Sequence, residues 1–161
     1  MDSKHSRLFS AVFVDDRRAL EGALRAGENA EVRDADGRTP LFQALVEGRT
    51  RLVQALLEFG ASASARDHRG ETPLHVAARH HRFHEARWLL EHGAEVEAAD
   101  DAGNTPLHRA VFAQSGSEEI IALLLQAGAD PDRANRNGLG ARALADQVAP
   151  PELRQLFLLA R

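Results

Sequence analysis

The stretch GETPLHVAARHH, residues 70–81, contains the four-residue motif that decides the fold. Its TPLH segment at Thr72–His75 recurs 33 residues later at Thr105–His108, and the related TPLF lies 33 residues earlier at Thr39–Phe42. A fixed period of this length is the signature of a repeat array, in which each unit packs against its neighbours. The period, rather than any single residue, therefore predicts the architecture.

The composition is that of an ordinary globular chain. Its 161 residues are 43% hydrophobic and 27% charged, which allows a packed core and argues against general disorder. The formal net charge of −4 argues against a nucleic-acid-binding protein, since that function favours a basic excess. The absence of cysteine excludes disulfides, thiol catalysis and cysteine-ligated zinc.

The sequence also indicates where the protein acts. Its first residues, MDSKHSRLFSAVFVDDRR, contain no apolar run long enough for a signal peptide. No segment approaches the roughly 18 apolar residues of a membrane span, so we expect a cytoplasmic protein that does not bind a membrane. Arginine supplies all 20 basic residues except Lys4, and together with the many alanines this favours a GC-rich, bacterial gene.

Three units align without gaps over their first twelve residues, as DADGRTPLFQAL, DHRGETPLHVAA and DDAGNTPLHRAV. A glycine follows an apolar pair near the end of each unit, at Gly60, Gly93 and Gly128. The residues on either side of the three units keep the same register with divergent sequences. We therefore expect one repeat domain over 1–161, divided into a cap at 1–33, repeats at 34–66, 67–99 and 100–134, and a cap at 135–161.

Each unit predicts two short helices, A and B. Thr39, Thr72 and Thr105 are predicted N-caps of helix A, because each precedes a proline, which is favoured at the first helical position. Helix B has an apolar stripe that includes Leu89 and Leu90 in the second repeat, and a C′ glycine ends it. One helix pair cannot bury its own apolar face, so the units are expected to stack.

The pattern D-x-x-G-x-T-P-L-H-x-A-A, then a helix, then L-L-x-x-G-A, resembles the ankyrin repeat. The resemblance implies an all-α solenoid of stacked helix pairs with hairpin-like loops, in which three full repeats lie between divergent N- and C-terminal capping units. It also implies that the Thr and His of TPLH hydrogen-bond locally and to the next repeat, so His75 and His108 are expected to be structural. Phe42 replaces this histidine in the first repeat, where packing is expected to hold the joint.

The second repeat departs from the pattern around its A–B turn. His81 stands where the first repeat has Gly48, and a left-handed backbone at a non-glycine residue would cost roughly 1 kcal/mol. Glu85 replaces Leu52, so its carboxylate must be paired or must reach solvent. Trp88 lies nearby, and two interpretations remain: the core is repacked around Glu85, or a partner contacts this side of helix B.

Histidines concentrate in the second repeat, in the cluster RHHRFHE at 79–85. His80 and His84 have the i, i+4 spacing with which two histidines on one helix chelate a metal. The repeat register places the A–B turn between them, and the sequence has no H-E-x-x-H motif. We therefore predict no metal site and no cofactor, and we keep a site formed by His80, His81 and His84 as an alternative.

The sequence offers no signal for catalysis. Its glycines serve turns rather than a phosphate loop, no serine lies in a G-x-S-x-G motif, and stacked helix pairs expose an open surface rather than an enclosed pocket. We therefore predict that the protein is not an enzyme. The resemblance implies a protein-protein interaction module that binds a partner protein on its concave face and is a monomer when unbound. A dedicated inhibitor or immunity protein for a toxin or enzyme, or a host-targeted effector, are the alternatives.

In this family the partner usually meets the loop tips and the exposed side of helix A. Apolar side chains beside arginines at such positions are typical of interface hot spots. Carried over to the matching positions, the expected partner-binding residues are Phe13, Val14, Arg33, Arg38, Val46, Glu47, Arg66, His68, Arg69, Glu71, Arg79, His80, Asp101, Asn104 and Phe112.

Overall fold

The computed structural model describes residues 6–113 and 118–159, without the side chain of Leu159. These residues form α-helices joined by turns and contain no β-strand, so the predicted all-α repeat solenoid is confirmed. In chain order the helices are α1 (Arg7–Phe13), α2 (Arg17–Arg25), α3 (Pro40–Val46), α4 (Thr50–Glu58), α5 (Pro73–Arg79), α6 (Phe83–Glu91), α7 (Pro106–Phe112), α8 (Glu118–Gln126), α9 (Ala141–Val148) and α10 (Pro151–Leu159).

The helices lie in two layers. Each odd-numbered helix is a helix A: it packs on the even-numbered helix B that follows it and on the next odd-numbered helix along the array. The even-numbered helices contact one another in the same order, but less extensively. One continuous apolar core runs between the layers, from Leu8 in α1 to Phe157 in α10. In the described part of the chain, no helix has the length and apolar character needed to cross a membrane.

The predicted helix A starts are confirmed. Thr39, Thr72 and Thr105 are the N-caps of α3, α5 and α7, with extended backbones, and a proline opens each helix. Proline suits this position because its fixed φ matches the helix and its missing N–H would have no intrahelical partner there. The second repeat's helix A therefore begins at Pro73, and it ends at Arg79.

The backbone at the ends of both helices also follows the predictions. Gly60 and Gly93 end α4 and α6 with φ of +82°, in the left-handed region that glycine adopts without steric cost. At the A–B turns, Gly48 has φ of +68° and its counterpart His81 has φ of +55°. His81 therefore has the left-handed backbone of its glycine counterpart, and Asp15 adopts the same conformation in the first unit, with φ of +57°.

The apolar stripe of helix B is buried, with one partial exception. In the first repeat, Leu52 and Leu56 are fully buried. In the second repeat, Leu89 is fully buried, whereas Leu90 is only partly covered and packs at the edge of the core. The predicted stripe is thus fully buried at Leu89 and only partly buried at Leu90, because α6 turns Leu90 toward the border between core and solvent.

Candidate functional site

The histidines of TPLH join successive repeats. The Nδ1 atom of His75 accepts a hydrogen bond from the backbone N–H of Thr72 at 3.0 Å, and its Nε2 atom lies 2.9 Å from the carbonyl oxygen of Asn104 in the next repeat. Because a carbonyl only accepts, Nε2 carries the proton. His108 repeats this arrangement toward the carbonyl oxygen of Leu139, at 3.0 Å. The predicted structural role of both histidines is confirmed.

Burial keeps these two rings neutral. It lowers the pKa of His75 and of His108 below the ordinary value, although the bond to the carbonyl of the next repeat opposes this shift. A neutral ring has one donor and one acceptor, and the fold uses both. Neither histidine is therefore available to a metal ion or to a substrate.

The first repeat lacks this joint. Phe42 is fully buried, so packing does replace the histidine, as predicted. The replacement leaves the hydroxyl of Thr39 buried and without a hydrogen-bond partner among the described residues, although Thr39 still occupies the N-cap position. At this position of helix A, the joint between the first and second repeats is thus apolar, whereas the later two joints are polar.

The loop tips form a continuous ladder along the array. In the tips of the three full repeats an aspartate side chain closes the turn: Oδ1 of Asp67 accepts from the backbone N–H groups of Arg69 and Glu71, both at 2.9 Å. Each tip also donates to the one before it, since the N–H of His68 bonds the carbonyl of Asp36 at 3.0 Å. The tips therefore have fixed positions relative to one another.

Two arginines expected at the binding surface join the tips. Nη1 of Arg33 donates to the carbonyl oxygens of Gly37, at 2.6 Å, and of Arg66 in the next repeat, at 2.5 Å. Arg66 does the same one repeat later, bonding Gly70 at 3.0 Å and Ala99 at 2.7 Å. Sequence reasoning missed this structural role, and the only signal for it was the spacing of 33 residues between the two arginines.

The structure corrects two of the expected binding residues. Glu71 is only 3% exposed, because its carboxylate bonds Nη1 of Arg79 at 2.5 Å and Nη2 of Arg109 at 3.0 Å. Asn104 is 7% exposed, and its Oδ1 accepts from the side chain of Asn135 at 2.9 Å. The expectation that these two side chains face a partner is wrong, since both are committed to bonds inside the array.

The buried carboxylates at this point are ionised. Burial would raise the pKa of Glu71, but the hydrogen bond from Arg79 and the charges of Arg79 and Arg109 outweigh it and lower the pKa. Asp100 behaves in the same way: burial opposes ionisation, but the backbone N–H of Asn104 and the side chain of Arg109 lower its pKa. The result is an ion-pair network that fixes the arginines at the helix A surface. Arg109 was missed, since no pattern in the sequence marks it.

The last residues of four successive helices A form a row across the surface. We call Phe13, Val46, Arg79 and Phe112 the A-end row; they end α1, α3, α5 and α7. Phe13 is 73% exposed and Phe112 is 47% exposed, whereas Val46 and Arg79 are half-buried. The next residue of each of the first three units is also exposed, at Val14, Glu47 and His80.

The remaining tip residues belong to the turns that precede the helices A. Arg69, His68 and Asp101 are exposed. The ring of His68 lies against Gly37, where an added Cβ atom would come within 2.4 Å of it. Arg38 is half-buried, with its Nε atom 3.8 Å from the buried carboxylate of Asp67. The tips thus present charged side chains on a backbone whose position is fixed by the hydrogen bonds between successive tips.

The helix B side of the second repeat is occupied by internal contacts. Glu85 is buried, and its carboxylate accepts a hydrogen bond from the hydroxyl of Thr50 in the first repeat. The prediction that this carboxylate must be paired or must reach solvent is confirmed by the pairing. Trp88 is half-buried and packs against the core, which favours repacking around Glu85 over a partner contact.

The histidine cluster is divided by the A–B turn, as predicted. His80 follows the last residue of α5, His81 lies in the turn, and His84 belongs to α6. Burial lowers the pKa of His80, and the positive charges of Arg79 and Arg82 lower it further. Across residues 6–113 and 118–159, no three His, Cys, Asp or Glu side chains are grouped so that they could hold a metal ion.

Comparison with known families agrees with this architecture. A family model described as "Ankyrin repeats (3 copies)" matches the chain twice, over residues 8–100 and 59–135, and so covers most of its length. A search for similar curated proteins gave no match. The family match begins in α1 and extends to the last tip, which is the part of the chain that contains the TPLH joints, the tip ladder and the A-end row.

Proposed function

Because the chain belongs to the ankyrin repeat family, whose members are generally protein-protein interaction modules, we propose that it binds a partner protein through the A-end row and the exposed tips. One observation carries the proposal: the aromatic side chains of Phe13 and Phe112 are exposed at the ends of helices A, in a row that also contains Arg79. Aromatic residues and arginine are the side chains most enriched in interface hot spots.

The energetics support a contact at these positions. Burying a phenylalanine side chain stabilises a complex by about 1.5–3 kcal/mol, so an exposed phenylalanine that becomes buried is worth roughly a tenfold gain in affinity or more. The helices A pack on one another more extensively than the helices B, which favours a curvature that makes their side concave. A partner on that side would reach several repeats at once.

We also propose that the function involves no catalysis. The two buried histidines use both ring nitrogens in the joints between repeats, so they have no atom left for proton transfer. The buried carboxylates of Glu71 and Asp100 pair with arginines and have lowered pKa values. A carboxylate that stays ionised in this way suits an ion pair and not a general acid.

The test compares two phenylalanines on opposite layers. The immobilised protein is used to capture partners from a native lysate, the captured protein is identified by mass spectrometry, and its binding is titrated against variants. We expect Phe112→Ala to weaken binding about tenfold or more and to leave the fold intact, because the lost contact is worth about 1.5–3 kcal/mol.

Phe59→Ala is the matched control. Phe59 is 39% exposed, close to the exposure of Phe112, but it ends helix B of the first repeat, where its ring lies 5.6 Å from the guanidinium carbon of Arg25. We expect Phe59→Ala to bind the partner as the unchanged protein does. Loss of binding in Phe59→Ala, together with full binding in Phe112→Ala, would place the partner on the helix B side and contradict the proposal.

A further inference from the structure

The A-end row has a regular spacing. Its four residues occupy the same position in four successive units, each 33 residues after the last, and the helices that they end contact one another in order. Axes of packed helices lie about 8–10 Å apart, so the row presents one side chain roughly every 10 Å over about 30 Å. A partner that contacts the whole row must present its own side chains at the same interval and on one face.

An α-helix meets this requirement, whereas a β-strand does not. Residues seven positions apart on a helix lie on the same face and are about 10.5 Å apart along its axis. In a β-strand, a step of three residues spans about 10 Å, but it brings the side chain to the opposite face. The spacing of the row therefore favours a helix laid across the ends of α1, α3, α5 and α7.

The chemistry of the row constrains that helix. Phe13, Val46 and Phe112 are apolar, and Arg79 interrupts them. Arg79 is held by the buried carboxylate of Glu71 through Nη1, while 35% of its side chain remains exposed. A guanidinium has five N–H donors in a planar fork, so a carboxylate on a partner can still bond the donors that Glu71 leaves.

Building on the proposed function, we propose that the A-end row binds an amphipathic helix of the partner protein. This helix has an acidic side chain that pairs with Arg79, and apolar side chains seven residues before and after it that contact Val46 and Phe112. A third apolar residue, a further seven positions along, meets Phe13, so the full contact spans about 22 residues. Arg79 is then the residue that determines specificity, because an apolar side chain opposite it would desolvate the N–H donors that Glu71 leaves without giving them a partner.

A second copy of the chain does not fit this description. The longest helices in the described residues have nine residues, such as α4 (Thr50–Glu58), and they are too short to reach four successive units. The charge pattern of the row also requires an acid between apolar residues at seven-residue steps. The occupant is therefore a longer helix of a different protein.

The experiment selects binders without assuming their sequence. A random library of 24-residue peptides is panned on the folded protein, and enriched peptides are synthesised and titrated by fluorescence anisotropy. The conformation of a bound, isotopically labelled peptide is read from its Cα chemical shifts. We expect helical peptides with an acidic residue flanked by apolar residues at seven-residue steps, and an affinity that falls about tenfold in Arg79→Gln.

Two controls separate recognition from folding. Arg87→Gln removes an equally charged side chain from α6, where Arg87 is half-exposed and its Nε atom lies 3.8 Å from Glu91, and it should bind the peptides normally. Replacing the acidic residue of the peptide by its amide leaves the protein untouched and should give the same tenfold loss as Arg79→Gln. Far-UV circular dichroism checks that Arg79→Gln is folded, since Arg109 still pairs with Glu71.

The other outcomes count against the inference in distinguishable ways. Peptides that need Phe112 but bind in an extended form, or lack the acidic residue, would overturn the helix inference and leave the proposed function standing. Peptides that bind Phe112→Ala and Arg79→Gln as tightly as they bind the unchanged protein would overturn both the inference and the proposed function. A library that yields no binder would overturn the inference alone, because a continuous helix should bind as an isolated peptide.

Discussion

At the scale of single residues, the joints between repeats differ in chemistry. The hydroxyl of Thr72 donates a hydrogen bond to Nδ1 of His75 at 2.8 Å. The equivalent hydroxyl of Thr39 is buried and has no partner in the part of the chain that the structure describes, because Phe42 stands where the histidine would be. A buried hydroxyl without a bond costs free energy that an apolar group of the same shape does not. Threonine at this position thus stabilises the joint after the second repeat and destabilises the joint after the first.

This difference predicts opposite results for one substitution at two sites. Thr72→Val should lower the free energy of unfolding by about 0.5–1.5 kcal/mol, since it removes a buried hydrogen bond. Thr39→Val removes no bond and should change the free energy of unfolding by less than about 0.5 kcal/mol, or raise it. Urea denaturation at pH 7 measures both. An equal loss in the two variants would mean that the Thr39 hydroxyl does have a partner.

Local residue chemistry explains how much of the backbone could be predicted. Threonine before proline predicts the start of helix A, and a glycine or its substitute at a fixed register predicts the left-handed turns, including His81. The burial of Glu71 could not be predicted, because it depends on Arg109, which lies 38 positions further along and reaches back from the next repeat. Contacts between units are set by stacking and leave no local pattern.

At the scale of elements, helix B of the second repeat is the least regular of its layer. Its first turn contains the buried Glu85, which is satisfied by Thr50 of the preceding helix B, and Trp88 occupies the edge of the core. The predicted apolar stripe includes both Leu89 and Leu90, but only Leu89 is fully buried. The periodic pattern therefore predicted the helix and its buried face but not the width of that face.

The two leucines give a test at this scale. Leu89→Ala should lower the free energy of unfolding by about 2–5 kcal/mol, as deletion of a fully buried leucine does. Leu90→Ala should cost clearly less, about 1 kcal/mol, because part of its surface already faces solvent. The continuous core predicts that Leu89→Ala unfolds in one transition rather than losing a single repeat. A larger loss in Leu90→Ala than in Leu89→Ala would show that the rotation of α6 is wrong.

At the scale of the whole molecule, the tips and the helices are two parallel sets of connections between repeats. The helices stack through the apolar core, and the tips are joined by backbone hydrogen bonds and by the side chains of Arg33 and Arg66. The period alone predicted the stack. The arginines of the tips were expected at the binding surface instead, because an exposed arginine has the same sequence signal whether it bonds a partner or the next repeat.

Arg66 and Arg69 distinguish these two roles, since both are exposed arginines near the same tip. The side chain of Arg66 bonds the carbonyl oxygens of Gly70 and Ala99, so Arg66→Ala should lower the free energy of unfolding by about 1–2 kcal/mol. The side chain of Arg69 has no ion pair or hydrogen bond within the described residues. Arg69→Ala should therefore change stability by less than about 0.5 kcal/mol.

For binding to the partner, substitution of Arg69 should have a larger effect than substitution of Arg66. An exposed charge at the edge of an interface acts mainly on the association rate and on its salt dependence. Together with Arg38→Glu, Arg69→Glu should slow association with the captured partner and flatten the dependence of its rate on ionic strength, as stopped-flow or surface-based kinetics would measure. Arg66→Ala, assayed where it is fully folded, should associate at the normal rate. If Arg66→Ala slowed association at full stability while the Arg38→Glu, Arg69→Glu variant did not, Arg66 rather than Arg69 would be the arginine that faces the partner.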